Sequence, residues 1–151
     1  MEHRIELDEH LGFKKTNILF MVLASYLTFG MYVPYWFITR RKALQSLSSN
    51  VPLPLNGIVT VLGLSIVSLL ALVFGPFILT EYGLELKDSL DYIVTMYGLG
   101  IVLYAAFRVR EMLNDHWNEE IIRPVPVTLF HIWYLQFKIN RVLAEKEKFS
   151  K

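Results

Sequence analysis

"TFGMYVPYW", residues 28–36, sits inside an apolar run, residues 17–38, that leads straight into the basic "TRRK" of residues 39–42. The run is long enough to cross a bilayer, yet a glycine, a proline and aromatic residues interrupt it. Pro34 has no N–H, so the carbonyl of Gly30 loses its i+4 donor. Gly30 tolerates backbone angles that other residues resist. Backbone groups freed at membrane depth must be met by protein or water. Thr28, Tyr32 and Tyr35 can supply partners, and Trp36 closes the stretch beside the basic residues. Residues 28–36 are therefore read as a structural break where the chain turns and leaves on the side it entered. A single spanning helix kinked at Pro34 is the alternative.

The distribution of charge favours the turn. Residues 57–79, "GIVTVLGLSIVSLLALVFGPFIL", contain no Asp, Glu, Lys, Arg or His. As a helix they cover roughly 33 Å, enough for a hydrocarbon core of about 30 Å. Residues 92–107, "YIVTMYGLGIVLYAAF", are also free of charge and span if Leu90 and Val109 sit at the edges. The stretch between these runs carries Glu81, Glu85, Asp88 and Asp91 against Lys87 alone, and is read as an acidic loop on the outer side. Lys and Arg near span ends prefer the cytoplasm. With the acidic loop outside, Arg40, Arg41, Lys42, Arg108, Arg110 and Arg123 lie inside. Lys14 and Lys15 join them only if the first segment turns back. Lys138 and Arg141 join them only if the short, more polar run at residues 125–137 does not cross.

The expected fold is all-α: a small multi-pass membrane protein with two full spans, residues 57–79 and about 90–107. Two broken, re-entrant or interfacial segments, around residues 28–36 and 128–140, flank this pair. Residues 108–124 should continue the second span out of the membrane and stop before Pro124. One membrane domain covers the 151 residues, with a polar stretch at 1–13, a helical membrane region at 14–143 and a charged tail at 144–151. Both termini are expected in the cytoplasm, with the protein in the cytoplasmic membrane. The acidic, polar start "MEHRIELDEHLGFKK" is unlike a signal peptide, so the first apolar run is expected to stay.

The absence of Cys excludes disulfides, thiolate metal sites and thiol catalysis. A net charge of +1 gives no argument for nucleic acid as a partner. "KKTNILFMVLASYLTFGMYVPYWFITRRKALQSL", "FRVREMLNDHWN" and "IWYLQFKINRVL" resemble the small prokaryotic membrane proteins of the domain of unknown function 4234 family. "TFGMYVPYWF" is similar to that family's T-x-G-[IL]-Y-x-x-[YF]-W pattern, and "YLQFKIN" to its closing Tyr-Leu-Gln…Asn element. The resemblance covers most of residues 14–143. It implies a compact multi-helix membrane protein and carries over no activity, cofactor or catalytic residue.

Candidate chemistry is sparse. Transport coupling usually needs ionisable groups inside the bundle, and the apolar runs at residues 57–79 and 92–107 have none. His131 and Gln136, in the short run at residues 125–137, are the strong candidates, and the favoured reading of His131 is a plain interfacial or packed residue. His116 with Glu119 or Glu120 has the spacing of neighbouring helical ligands, but zinc hydrolase signatures are absent. Ser65 and Ser68 lie in the first span, without a nucleophile motif or a second motif to supply a base. No cofactor is expected.

Packing and lipid signals are clearer. Ala71 and Gly75 form a small-xxx-small step, and Gly98 and Ala105 share a face of the next helix. Either pair can seat the two spans together or form a dimer contact. Tyr35, Trp36, Trp133 and Tyr134 sit where interfacial aromatics belong. Arg40, Arg41, Lys42, Lys138 and Arg141 would face anionic headgroups, with Gln136 and Asn140 offering polar contacts at i,i+4 spacing. The functional expectation is a non-enzymatic scaffold or accessory subunit that presents this basic, aromatic face to lipid or a partner protein. An oligomeric transporter or channel component using the Gly30–Pro34 break is the alternative. A membrane enzyme acting on lipid ranks behind both.

Overall fold

The structure, a computed structural model, describes residues 13–47, 49–117 and 120–149. The polar stretch up to residue 12 and the end of the charged tail lie outside the described residues. Among them the chain is all-α, with six helices: α1 (Ile18–Leu27), α2 (Tyr32–Thr39), α3 (Arg41–Gln45), α4 (Leu55–Ile78), α5 (Glu81–Trp117) and α6 (Pro124–Phe149).

The first apolar run is two helices and a turn. Asn17 starts α1 as an N-cap, its side chain accepting from the Leu19 N–H at 2.9 Å. After Leu27 the chain passes through Phe29 (φ 50°) and Gly30 (φ 87°), both left-handed. The Gly30 N–H reaches back to the Ser25 carbonyl at 2.7 Å, so the end of α1 closes as a Schellman-type turn. The carbonyl of Gly30, deprived of its i+4 donor by Pro34, accepts instead from the Val33 N–H at 3.0 Å. Thr28 serves both helices. Its hydroxyl donates to the Ala24 carbonyl at 2.7 Å and accepts from the Tyr32 N–H at 3.0 Å. Tyr32 contributes ring contacts, to Phe20 at 6.3 Å and Tyr35 at 6.1 Å between centroids. The two ends of this unit meet: the Arg40 guanidinium donates to the Thr16 hydroxyl at 2.7 Å. Residues 16–40 therefore form a helical hairpin that starts and finishes in one place.

A methyl group at Gly30 would meet no atom within 4 Å, so only the backbone resists it. Gly30→Ala should therefore cost about 1–2 kcal/mol, the left-handed penalty of an L-residue. Thermal unfolding of the purified protein in detergent measures it, with Gly63→Ala, at an open α4 position of ordinary φ, as the comparison.

α4 and α5 form a long antiparallel hairpin turned by Leu79 and Thr80 alone. Here the structure corrects the sequence reading. Residues 81–91 are not a loop but the first turns of α5, which runs for 37 residues, about 55 Å at the usual helical rise. Thr80 caps this start, its hydroxyl accepting from the Gly83 N–H at 3.3 Å and its carbonyl from the Leu84 N–H at 3.0 Å. The expected second span, about residues 90–107, is the middle of this helix. The register is fixed by close approaches: Gly57 against Ile101, Gly98 against Val61, Ser68 against Asp91 and Gly75 against Leu84. Gly98 and Ala105 are buried on α5, and Gly75 is buried on α4, with Ala71 half-buried. A Cβ on Gly98 would sit 3.3 Å from Val61 Cγ1.

α4 and α5 are long and apolar enough to cross a membrane, and their most apolar 18-residue windows are only 11% and 22% buried. A core helix of a water-soluble protein would bury most of such a window. The packed core lies instead at one end, where Trp36 and Phe37 of α2, Leu44 of α3 and Ile58 of α4 meet Ala106, Val109 and Leu113 of α5 and Ile132, Leu135 and Ile139 of α6. α6 is two helical pieces joined at His131, whose φ of 35° and ψ of −116° break the helical path. Residues 128–140 thus straddle a bend, with Gln136 and Asn140 in the second piece.

Candidate functional site

Two polar centres interrupt this apolar frame. The first is a buried clasp at the core end. Trp36 Nε1–H donates to Gln136 Oε1 at 3.0 Å. The Gln136 amide donates to the Lys14 carbonyl at 3.1 Å and to Asn140 Oδ1 at 2.8 Å. Asn140 donates to the Thr16 carbonyl at 2.7 Å and accepts from the Thr16 N–H at 3.2 Å. Trp36 and Gln136 are fully buried. The guanidinium of Arg40 lies over the Trp36 ring at 4.8 Å, and its Nε is buried without a hydrogen-bond partner. Burial pushes that guanidinium below its ordinary pKa, against the opposing influence of Tyr32 and Tyr35. The clasp thus joins the entry to α1, the end of α2 and the second piece of α6. Trp36, Gln136, Asn140 and Arg40, separate in sequence, come together here.

Around the clasp lie the other basic and aromatic residues. Arg41 and Lys42 are exposed. Lys138 sits over the Tyr134 ring at 5.6 Å, and Arg141 pairs with Glu145 at 3.0 Å. Trp133 is half-buried, with an indole N–H that is buried and unpartnered, and Tyr35 is exposed. Arg110 donates to the Ile122 carbonyl at 2.8 Å, and Asn114 exchanges hydrogen bonds with both backbone groups of Ile122, at 3.1 and 3.0 Å. These last contacts tie the α5–α6 connection to α5. His116 is partly buried, and desolvation lowers its pKa. Glu119 lies outside the described residues, among which no group of His, Asp and Glu side chains is arranged to hold a metal ion.

The second centre is a cavity of about 500 Å³ midway along the α4–α5 hairpin. Its walls are the turn at residues 29–34, residues 61–72 of α4, residues 91–102 of α5, and His131 at the bend of α6. Every left-handed residue recorded among the described residues, Phe29, Gly30 and His131, borders it. Its polar lining is Ser65, Ser68, Asp91, Thr95 and His131. The Asp91 carboxylate accepts from the Ser68 hydroxyl and pairs with Lys87 Nζ at 2.7 Å. Lys87 also contacts Asp88 at 3.0 Å. Of the residues singled out from sequence, Gly30, Pro34 and Gly98 border this cavity as well. The Asp91–Ser68 pair escapes a reading that treats residues 81–91 as a loop. Thr80 followed by Glu81, an N-cap and an acidic first turn, is the signal that points to the helix start.

The family model described as Domain of unknown function (DUF4234) matches residues 16–115. The chain belongs to this family. The matched stretch of the domain of unknown function 4234 family starts at Thr16, in the clasp, and includes the turned hairpin, α4 and nearly all of α5. It ends before α6, so Gln136 and Asn140, which complete the clasp, and His131, which completes the cavity, lie beyond it. No curated protein and no solved structure matches.

Proposed function

We propose that this chain is a multi-pass protein of a prokaryotic cytoplasmic membrane, acting without catalysis as a scaffold or accessory subunit. In this reading α4 and α5 cross the bilayer and the α1–α2 hairpin enters and returns. The basic, aromatic-rich end faces the cytoplasm, where it meets anionic headgroups or a partner protein. The observation that carries the reading is the Arg40–Thr16 hydrogen bond. It holds both ends of the first apolar run together, and Asn140 adds α6 to the same place. Lys14, Arg40, Arg41, Lys42, Lys138 and Arg141 therefore share one end of the molecule, while Glu81, Glu85 and Asp88 share the other, which agrees with a positive cytoplasmic side. Each basic residue near an anionic surface contributes on the order of 1 kcal/mol.

The test is lipid selection. Protein purified in nanodiscs of mixed phosphatidylglycerol and phosphatidylcholine should retain phosphatidylglycerol preferentially, as read by native mass spectrometry. Arg41→Gln, Lys42→Gln and Arg141→Gln together should reduce that preference several-fold. An unchanged preference overturns the lipid-facing role.

The cavity beside the broken segment favours a second reading, an oligomeric transporter or channel component, because interrupted helices at mid-membrane line substrate sites in many transporters. Solute flux in proteoliposomes tests it, and a protein that moves no solute is not one.

A further inference from the structure

Apart from His131 at the bend of α6, whose imidazole can donate, the polar lining of the cavity between the turned hairpin and α4–α5 has one electrical character. Ser65 donates its hydroxyl proton to the Val61 carbonyl at 2.8 Å, Thr95 donates to the Asp91 carbonyl at 2.8 Å, and Ser68 donates to the Asp91 carboxylate. A hydroxyl has one proton and two lone pairs. With the protons committed inside the protein, these residues offer the cavity acceptors only. Asp91 adds a negative charge. The remaining walls are largely apolar, including Phe29, Met31, Leu69 and Leu99. Such a wall suits a molecule with a cationic donor group on an apolar body.

The protein already shows an ammonium on Asp91. Lys87, one helical turn before it, places Nζ 2.7 Å from Oδ2. Lys87 is not committed to Asp91 alone, since Asp88, largely exposed, holds the same ammonium at 3.0 Å. It can release Asp91 and keep a counter-ion. We infer that the cavity is a binding site for a lipophilic ammonium compound, whose cationic group takes the place of Lys87 on Asp91 while its apolar part fills the space beside the turn at residues 29–34. Lys87 is then a tethered competitor that keeps the carboxylate satisfied when the site is vacant. The inference concerns a site separate from the basic end. It stands or falls independently of the lipid preference measured there.

The probe is 2-(1-naphthyl)ethylammonium, with the uncharged 2-(1-naphthyl)ethanol as its control, titrated into phosphatidylcholine nanodiscs with and without the intact protein. Saturable fluorescence change is expected for the ammonium and not for the alcohol. Asp91→Asn should weaken binding about tenfold or more, the size of a lost charge-assisted hydrogen bond. Lys87→Met should tighten it about as much, because the internal competitor is gone. This opposite sign does not arise from general damage to the fold, so Lys87→Met decides the matter if Asp91→Asn fails to assemble. Equal binding of the alcohol, or a Lys87→Met variant that binds no better, overturns the inference. Repeating the titration with phosphatidylethanolamine discs separates the source: competition assigns the site to a lipid ammonium headgroup, and its absence to a free amine.

Discussion

Gln136→Leu is expected to destabilise the protein by about 3 kcal/mol, although the two side chains are similar in size. Gln136 is fully buried and spends its amide on three partners, the Trp36 indole N–H, the Lys14 carbonyl and the Asn140 side chain. Leucine keeps the volume and removes every bond. A buried donor or acceptor left without a partner costs about 1–3 kcal/mol, and here the indole N–H and the carbonyl are both stranded. Asn140 suffers less, since its Oδ1 still accepts from the Thr16 N–H. Phe137→Leu, next in sequence but half exposed, should change stability little. Reversible unfolding in mixed micelles measures these differences. The Trp36→Phe and Gln136→Leu pair provides the sharper reading: because both remove the same bond, the double variant should lose less than the sum of the singles. Strict additivity would show that the clasp is not one unit.

That clasp also marks where the sequence is readable and where it is not. The break at residues 28–36 is visible because its cause is local: a glycine, a missing N–H and a threonine within reach. The long uncharged stretch of α4 is visible for the same reason. Trp36, Gln136 and Asn140 attract notice as aromatic and amide residues near basic ones, which suggests lipid. The i,i+4 spacing of Gln136 and Asn140 is visible, but their contacts with Trp36 and Thr16 are not, since those partners are separated by 100 residues or more. Composition misleads at residues 81–91. A charged stretch between two apolar runs resembles a loop, yet Glu, Leu and Lys are good helix formers, and the Thr80 cap lets the helix begin at once. The loop reading leaves Asp91 outside the hairpin, away from Ser68, and so conceals the one carboxylate among the described residues that borders the cavity.

The hairpin register also produces the second large expected effect, an all-or-none pattern of thiol labelling. The chain has no cysteine, so single replacements report without background. Arg41→Cys and Arg141→Cys, both exposed at the basic end, should react with an impermeant maleimide only after the cells are opened. Asp88→Cys should react from outside in intact cells. Residue 88 is the better reporter than residue 87, because the Asp88 side chain is 78% exposed while that of Lys87 is 12% exposed and held by two carboxylates. The partner helix is informative in a second way, nearer the tip of the hairpin, because the register that sets Gly75 against Leu84 and Ser68 against Asp91 puts Phe77 beyond the level of Asp88. Phe77 on α4 is 86% exposed, near Val73, Phe74 and Ile78, which are also exposed. Placing such residues in water forfeits about 1.5–3 kcal/mol each. Exposing Glu85 and Asp88 to hydrocarbon is costly too, at about 2.5–3.5 kcal/mol for an acidic residue at the centre of a span. Both demands are met if the face of α4 that carries Phe74 and Phe77 stays against lipid while the face of α5 that carries Glu85 and Asp88 is open to water. Phe77→Cys should then stay unlabelled under conditions where Asp88→Cys reacts fully. If both react, the hairpin tip projects into solution and Asp91 lies near its surface. If Arg41→Cys reacts from outside, the first apolar run does not return to its starting side.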